Sequence, residues 1–326
     1  MRDQFGRTIE YLRLSITDRC NLRCRYCMPE EGVNGLAHDD ILRYEELLRV
    51  SAAACRLGIR KIRVTGGEPL VRRGIVDFIE KLAALPGQPE ITLTTNGLRL
   101  AELAPALKTA GLSRVNVSLD TLQPERFRDL TRRDGLEQVL EGLQAAEEVG
   151  ILPIKINMVP LRGANADEIA DFARLTLKHP WEVRFIEYMP ISSDLGFAVE
   201  DGLSAAEIEQ ELLTLGELEA LPREDKSGPA RMFRLPKALG RVGLISSVSG
   251  HFCSECNRLR IMADGRVRGC LFDSSELDLK PVLRGEGSDQ DLEVLLLKAA
   301  CGKPENQQET KDGNKAPGRR MHGIGG

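Results

Sequence analysis

Six short β-type stretches alternate with helix-length stretches over the first 190 residues, and this alternation is the strongest constraint on the fold. The β-type stretches lie at 11–17, 61–65, 90–95, 114–119, 153–159 and 183–188. The segments between them, such as 45–57, 75–85 and 136–149, carry apolar residues three and four positions apart, which is the helical period. Strands that alternate with helices predict βα units and a parallel sheet.

The turns after these strands hold the chemically distinctive residues. They read TDRC, TGGEP, TTNG, SLD, NMVPL and EYMP. In β/α barrels the loops that follow the strands converge on one face, so functional groups are expected there. Six units are too few to close an eight-stranded barrel. The predicted fold class is therefore α/β, a partial and open (β/α)6 barrel of the TIM type.

The pattern changes after residue 190. A helix is predicted at 205–215 and a polar, proline-containing linker at 222–229, followed by β structure with short turns. The end of the chain is polar and poor in apolar residues, which indicates a flexible segment. The predicted division is a barrel domain at 1–190, an α+β extension at 191–302, and a flexible segment with a terminal glycine pair at 303–326.

A β-hairpin is predicted at 257–272. Its turn would be Asp264-Gly265, a favoured two-residue hairpin loop. In the ideal register of such a hairpin, Cys270 lies opposite Leu259. The hairpin would thus bring Cys270 back toward the cysteines that precede it.

Three cysteines follow the first strand. They are Cys20, Cys24 and Cys27. Structural zinc sites usually offer four ligands in two pairs, whereas this motif offers three thiolates within eight residues. Three cysteines on a 4Fe–4S cluster leave one iron with an open position, which can bind a small molecule. The spacing therefore predicts an open 4Fe–4S cluster.

A second triplet lies in the extension. It consists of Cys253, Cys256 and Cys270. A structural zinc with His251 as fourth ligand is one interpretation, and a second 4Fe–4S cluster that binds substrate at its free iron is the other. Because the first triplet predicts an open 4Fe–4S cluster, we favour a 4Fe–4S cluster over zinc at the second triplet. Arg258 and Arg260, two positions apart on a strand, would share one face beside it. They suit anion binding better than a solvated face.

Charge and hydropathy exclude several classes of partner. The net charge is −4, which gives no overall nucleic-acid footprint, so an anion site has to be a local basic cluster. The first residues lack the apolar core of a signal peptide, and no uncharged apolar run of eighteen residues occurs. We expect a cytoplasmic protein that binds neither membranes nor nucleic acids.

An ordered set of motifs resembles one enzyme family. The motifs include LRLSITDRCNLRCRYCMP, RVTGGEPLVRR, LTTNG, VNVSLDTL, IKINMV, RFIEYMP, GLISSVSGHFCSECNRLR, GCLF and a terminal IGG. Together they resemble the GTP 3′,8-cyclases of molybdenum cofactor biosynthesis, which are radical S-adenosylmethionine (SAM) enzymes. The resemblance runs from about residue 9 to residue 301 and returns in the last few residues.

The resemblance implies a specific reaction with two 4Fe–4S clusters and SAM as cofactors. A reduced cluster on the first triplet cleaves SAM to methionine and a 5′-deoxyadenosyl radical. That radical removes the 3′ hydrogen of GTP, and the ribose radical attacks C8 of guanine. The product is (8S)-3′,8-cyclo-7,8-dihydroguanosine 5′-triphosphate, the first intermediate of the molybdopterin pathway. The second cluster holds the guanine.

The resemblance also implies roles for individual residues. SAM contacts are Tyr26, Gly67, Ser118 and Met189. GTP contacts are Arg13, Arg63, Thr94, Lys155, Arg258 and Arg260. The tail glycines Gly325 and Gly326 would enter the active site and assist catalysis beside the first triplet, with Arg184 receiving them. The expected partners are GTP, an unidentified electron donor, the next enzyme of the pathway and a second copy of the chain.

Two other functions compete with this one. The first is a peptide-modifying radical SAM maturase, which usually carries a longer and cysteine-richer C-terminal region. The second is a zinc-binding interaction or nucleic-acid-binding module without catalysis. The six βα units, the GGEP motif and the negative net charge argue against the second alternative.

Overall fold

A single sheet runs through the molecule in the computed structural model, which describes residues 1–191, 195–223, 228–307, 310 and 319–325. Its strands are β1 (Tyr11–Ser15), β2 (Lys61–Thr65), β3 (Glu90–Thr95), β4 (Arg114–Ser118), β5 (Ile154–Met158), β6 (Glu182–Ile186), β7 (Glu219–Ala220), β8 (Arg231–Arg234), β9 (Arg241–Ile245), β10 (Arg258–Ile261), β11 (Arg266–Arg268) and β12 (Leu277–Asp278). The strand order is β12-β11-β10-β1-β2-β3-β4-β5-β6-β9-β8-β7.

Strands β1 to β6 lie side by side in chain order and are all parallel. The helices are α1 (Tyr44–Arg56), α2 (Ile75–Ala83), α3 (Leu100–Thr109), α4 (Pro124–Thr131), α5 (Leu136–Glu148), α6 (Ile169–Lys178), α7 (Ala205–Leu213), α8 (Lys280–Arg284), α9 (Asp289–Cys301) and α10 (Met321–Ile324). The two edge strands, β12 and β7, are not paired with each other. The prediction of an open partial (β/α)6 barrel is confirmed.

The strands alternate between an apolar face and a polar face. On β2, Ile62 and Val64 are fully buried in the core with the helices, while Lys61 and Arg63 line a cavity inside the curved sheet. Because successive side chains of a strand point to opposite faces, this alternation fills the cavity with polar groups. Lys155, whose neighbours on β5 are both buried isoleucines, points into the cavity in the same way.

The extension continues the barrel sheet on both sides. Strand β10 pairs in parallel with β1, and β9 pairs in parallel with β6. The short strands β11 and β12 then extend one edge in antiparallel fashion, and β8 and β7 extend the other. Helix α9 packs on α1, where Arg49 and Arg56 pair with Asp289 and Glu293. The barrel sheet thus gains three strands from the extension at each side, of which the first is parallel.

The hairpin differs from its predicted register by one residue. Arg260 pairs with Arg268, and the amide of Met262 donates to the carbonyl of Arg266 across a three-residue loop. Gly265 occupies the left-handed position of that loop with φ of 81°. A three-residue loop of this kind shifts the register relative to a two-residue turn. The same register, continued, sets Cys270 opposite Arg258 and not opposite Leu259.

Part of the C-terminal segment is buried. Lys303, which the composition placed in a flexible segment, is 1% exposed and therefore buried. The rest of that prediction falls largely on 308–309 and 311–318, which lie outside the described residues, as does Gly326. In the part of the chain that the structure describes, no helix is long and apolar enough to cross a membrane.

Candidate active site

A large cavity of about 1570 Å³ lies inside the curved sheet. All six cysteines of the two triplets line it, although the triplets are more than 220 positions apart in the sequence. Lysine and arginine outnumber aspartate and glutamate among its lining residues by more than two to one. The chain as a whole is slightly acidic, so this cavity is the local basic site that the sequence required for an anion.

The loop of the first triplet is fixed by backbone contacts to the GGEP loop. The amide of Gly67 donates to the Thr17 carbonyl at 2.7 Å, and the amide of Glu68 donates to the Arg19 carbonyl at 2.8 Å. A Cβ on Gly67 would lie 2.4 Å from the Arg19 carbonyl oxygen. The structure therefore explains this glycine by close packing against the cysteine loop. The sequence had suggested a different reason, access of SAM to the backbone.

Burial makes the thiols of the first triplet difficult to ionise. It raises the pKa of Cys20, raises that of Cys24 well above its usual value, and raises that of Cys27 to about 12. Cysteine binds metal as the thiolate, so a cation is needed to hold three deprotonated sulfurs here. Thiolates are the donors of iron–sulfur clusters, and this donor set fits one.

Tyr26, beside these cysteines, donates a hydrogen bond to Asp120. Burial raises the pKa of Asp120 to about 6 and, together with that carboxylate, raises the pKa of Tyr26 well above its usual value. Asp120 also accepts from the amide of Val159 at 2.8 Å. The sequence analysis did not identify Asp120, although it ends the SLD turn. Ser118 and Met189 both line the same cavity.

Three arginines lie in register across neighbouring strands. Arg13 on β1 is aligned with Arg260 on β10 and with Arg63 on β2. Burial and the neighbouring arginines lower all three pKa values, that of Arg13 strongly and that of Arg260 to about 10. Clustered buried cations repel one another, so an anion at this position would relieve the repulsion. Arg258, on the same face, completes the predicted group.

Tyr11 lies among these cations and was not predicted from the sequence. Its ring is 5.3 Å from the Lys61 ammonium and 5.5 Å and 5.9 Å from the guanidinium carbons of Arg63 and Arg258. Burial alone would raise the pKa of Tyr11, but the surrounding positive charges lower it to about 8. One feature of the sequence could have indicated Tyr11: it lies two residues before Arg13 and therefore on the same face of β1.

An acidic residue balances part of the positive charge. Glu182 pairs with Lys155 at 2.7 Å and with Arg184 at 2.6 Å. Burial nevertheless lowers the pKa of Lys155 to about 7, and the charge of Arg184 acts in the same direction. Glu182 was not predicted from the sequence, because it lies at the start of β6, away from the turns that follow the strands.

Several buried oxygens along the strands have no hydrogen-bond partner. Among the described side chains these include Oγ1 of Thr94 and Oδ1 of Asn116 and Asn157. All three residues line the cavity, and Thr94 is aligned with Asn116. A buried polar atom without a partner is costly, so these groups suit a polar ligand. Thr94 was predicted as a GTP contact, whereas the two asparagines were not.

The second triplet lines the cavity beside β10. Within the described residues, no group of three His, Cys, Asp or Glu side chains is arranged to hold a single metal ion. Three thiols are the donor set of an iron–sulfur cluster, and their place on the cavity wall fits one. Burial would raise the pKa of Cys256, but the charges of Lys303 and Arg258 lower it. Burial raises the pKa of Cys270.

The end of the chain reaches this site. The carbonyl of Gly325 accepts from Nη2 of Arg13 at 2.9 Å, and a Cβ on Gly325 would lie 3.0 Å from Cγ2 of Thr65. Ile324 is 1% exposed and packs in a cluster with Ile191 and Met262. The sequence analysis assigned the tail to Arg184, but the structure brings Arg13 to Gly325.

Comparison with known proteins identifies related families and relatives along the chain. Residues 14–176 match the radical SAM superfamily, and residues 181–309 match the family described as Molybdenum Cofactor Synthesis C. The GTP 3′,8-cyclase of Geobacter sulfurreducens is 50% identical over 93% of this chain and 92% of its own length. That of Moorella thermoacetica is 48% identical over 100% of both chains.

Solved structures share the fold. SuiB of Streptococcus suis bound to precursor peptide SuiA superposes with a TM-score of 0.61 over 90% of this chain and 66% of that chain, at 16% identity. Polyhistidine-tagged anSMEcpe with bound AdoMet gives 0.59 over 94% of this chain and 80% of that chain, at 15% identity. At such identities the likeness shows the fold alone.

The open barrel and its three-cysteine loop define the class as that of the radical SAM enzymes. Within that class the two matched regions and the full-length relatives are decisive, because they reach about half identity over nearly the whole of both chains. The chain belongs to the GTP 3′,8-cyclase family.

Proposed function

We propose that this chain is a GTP 3′,8-cyclase, which cleaves SAM reductively and cyclises GTP to (8S)-3′,8-cyclo-7,8-dihydroguanosine 5′-triphosphate in molybdenum cofactor biosynthesis. One observation carries the proposal: both cysteine triplets and a row of arginines line the same cavity. Groups held at the two triplets would share one interior, as a reaction between them requires. A separate interaction module would not need the two sites to share one interior.

The first triplet would hold the 4Fe–4S cluster that engages SAM, and the second would hold the cluster that engages the guanine. When bound, these clusters and SAM supply the electron and the 5′-deoxyadenosyl radical that removes the 3′ hydrogen of GTP. The chain contributes binding, orientation and exclusion of side reactions. Cys20, Cys24 and Cys27 are the residues on which the radical chemistry depends.

On the SAM side, we assign four residues. They are Tyr26, Gly67, Ser118 and Met189. Tyr26 is held by Asp120, which fixes the ring beside the cysteine loop. Gly67 keeps the GGEP loop close to that loop through the Thr17 carbonyl. Both contacts orient backbone and side chain before SAM arrives, which lowers the cost of binding.

On the GTP side, the triphosphate would lie against the buried cations. The assigned residues are Arg13, Arg63, Thr94, Lys155, Arg258 and Arg260. Guanidinium groups bind phosphate oxygens in bidentate, charge-assisted pairs, and the low dielectric of the cavity strengthens such pairs. We add Arg184, which shares Glu182 with Lys155. The tail glycines Gly325 and Gly326 would approach the reacting groups through Arg13.

The wider setting is also a proposal. We place the enzyme in the cytoplasm, because none of its eight cysteines forms a disulfide and a reducing compartment keeps thiols available to bind iron. A reduced electron donor has to supply the cluster, and the next enzyme of the pathway has to take the product. The chain would bind no nucleic acid, and we propose a homodimer as its assembly.

The test is an anaerobic assay of the reconstituted protein with SAM, GTP and a strong reductant, analysed by mass spectrometry. We expect 5′-deoxyadenosine together with a nucleotide that is isomeric with GTP. 5′-Deoxyadenosine without that nucleotide would contradict the cyclase and favour a different radical SAM substrate, such as a peptide. Colourless protein with zinc and no SAM cleavage would contradict the radical SAM assignment itself.

A further inference from the structure

Lys303 lies just after the end of α9, and its ammonium group is buried beside the second triplet. The residue is 1% exposed. Its Nζ donates to the carbonyl of Arg258 at 2.9 Å and to the carbonyl of Gly269, and it lies 3.6 Å from Sγ of Cys256. One ammonium therefore ties together the two segments that carry the second and third cysteines.

The charge of this lysine has no carboxylate partner among the described residues. A buried ammonium without a counterion is costly, because burial removes its hydration. The anionic groups nearest to it would be the thiolates of the second site, once metal has displaced their protons. The lysine and a thiolate-bound cluster thus complement each other in charge.

The neighbouring backbone is shaped to admit the lysine. A Cβ on Gly269 would lie 2.7 Å from Cγ of Lys303, so a glycine is needed where the side chain passes. Arg7 binds the residues that follow Lys303, because it donates to the carbonyls of Pro304 at 2.7 Å and Glu305 at 2.9 Å. Arg7 also donates to the carbonyl of Cys253 at 2.8 Å. The segment after α9 therefore contacts the parts of the second site that carry Cys256 and Cys270, and Arg7 links it to the part that carries Cys253.

We propose that Lys303 is a positioning residue of the second cysteine site: it holds the Cys256 and Cys270 segments together and tunes the cluster bound there through an N–H···S bond and its charge. The inference rests on the proposed function, because that function requires a second 4Fe–4S cluster. Hydrogen bonds and positive charge at cluster sulfurs favour the reduced state and raise the reduction potential.

The experiment compares Lys303→Met with the wild type, using redox titration of both clusters followed by electron paramagnetic resonance, in reconstituted full-length protein without SAM or GTP. We expect the reduced-to-oxidised ratio of the second cluster at a fixed potential to fall about tenfold, equivalent to about 59 mV for one electron. The first cluster should keep its potential. Lys298→Met, which removes an exposed lysine of α9, is the matched control.

The iron content of the variants distinguishes the two roles of Lys303, which are to hold the cysteine segments together and to set the reduction potential of the cluster. Loss of the second cluster in Lys303→Met, with retention in Lys303→Arg and Lys298→Met, would support the holding role. Unchanged iron content and unchanged potential in Lys303→Met would overturn the proposal. Loss of the cluster in Lys303→Arg as well would overturn its dependence on charge. A wild-type protein with no second 4Fe–4S signal would instead contradict the proposed function.

Discussion

Gly67 shows how one residue joins the two loops of the SAM side. Its missing Cβ allows the GGEP loop to pack on the cysteine loop, since a Cβ at this position would lie 2.4 Å from the Arg19 carbonyl oxygen. We expect Gly67→Ala to reduce the free energy of unfolding by about 1–3 kcal/mol, because the obstructing atoms belong to the backbone and cannot rotate away. Urea unfolding of the reconstituted protein measures this. Gly35→Ala, whose new Cβ would meet only ordinary contacts near Asp18, is the control. Equal stability of the two variants would contradict the explanation.

Lys155 should couple GTP binding to proton uptake. Burial and Arg184 lower its pKa to about 7, so the amine of the free protein is mostly neutral near pH 8. A bound triphosphate adds negative charge, which favours the protonated amine and raises the pKa. We expect GTP binding near pH 8 to take up close to one proton per nucleotide. Calorimetry in two buffers with different ionisation enthalpies measures this number.

The direction of the expected proton uptake determines which pH and which variant serve as controls. Below about pH 6 the lysine is already charged in the free protein, so its contribution to proton uptake should vanish. Near pH 8, Lys155→Met should take up close to one proton fewer per nucleotide than the wild type, and at pH 6 the two should not differ. A binding enthalpy near pH 8 that does not depend on the buffer in the wild type would refute the coupling.

At the scale of elements, Ile324 is the buried side chain of the tail helix α10. Ile324 is buried against Ile191 and Met262, and Arg319 pairs with Asp264 and Glu276 at 2.8 Å. Truncation of a buried isoleucine to alanine costs about 2–5 kcal/mol when the site cannot collapse. We expect Ile324→Ala to open the tail and to accelerate trypsin cleavage after Arg319 by roughly tenfold or more, since each 1.4 kcal/mol of opening free energy changes the open population about tenfold. Limited proteolysis followed by mass spectrometry measures the rate.

The control for the tail is an exposed apolar residue. Leu239 is 64% exposed, so Leu239→Ala should leave the cleavage rate unchanged. A cleavage rate for Ile324→Ala equal to that of the wild type would show that α10 is held by other contacts, such as the Arg319 ion pairs.

The elements also show what local sequence can predict. Strand and helix periods identified the six βα units, because period and turn residues are local signals. The hairpin register was wrong by one residue, since the choice between a two- and a three-residue loop depends on the backbone around Gly265. Lys303 was placed in a flexible segment because composition does not reveal a single buried charge.

At the scale of the molecule, the sequence did not predict how the extension joins the barrel. The pairing of β9 with β6 and of β10 with β1 depends on strands about 60 and 250 residues apart, and no local pattern encodes such partners. The cysteines were predicted from their spacing and the arginines from the motifs that carry the family resemblance. Asp120, Glu182 and Tyr11 were missed, since only the folded strands bring them to the cavity.

These pairings bear on whether the predicted division at residue 190 separates independent domains. A fragment of residues 1–190 would lose β9 and β10 and expose both edges of its sheet, which proteins normally protect. Trp181, the single tryptophan, reports on one of those edges, because its carbonyl accepts from the amide of Arg241 at 3.0 Å and its side chain is 3% exposed.

We therefore expect the fragment of residues 1–190 to show red-shifted tryptophan emission and no sharp urea transition. The full chain should unfold with coincident changes in tryptophan emission and far-ultraviolet circular dichroism, as a cooperative unit does. A fragment of residues 1–307, which keeps both flanking strands and Lys303, is the control and should unfold like the full chain. A sharp transition with native-like emission in 1–190 would establish an independent barrel, and β9 and β10 would then be additions to a sheet that is stable without them.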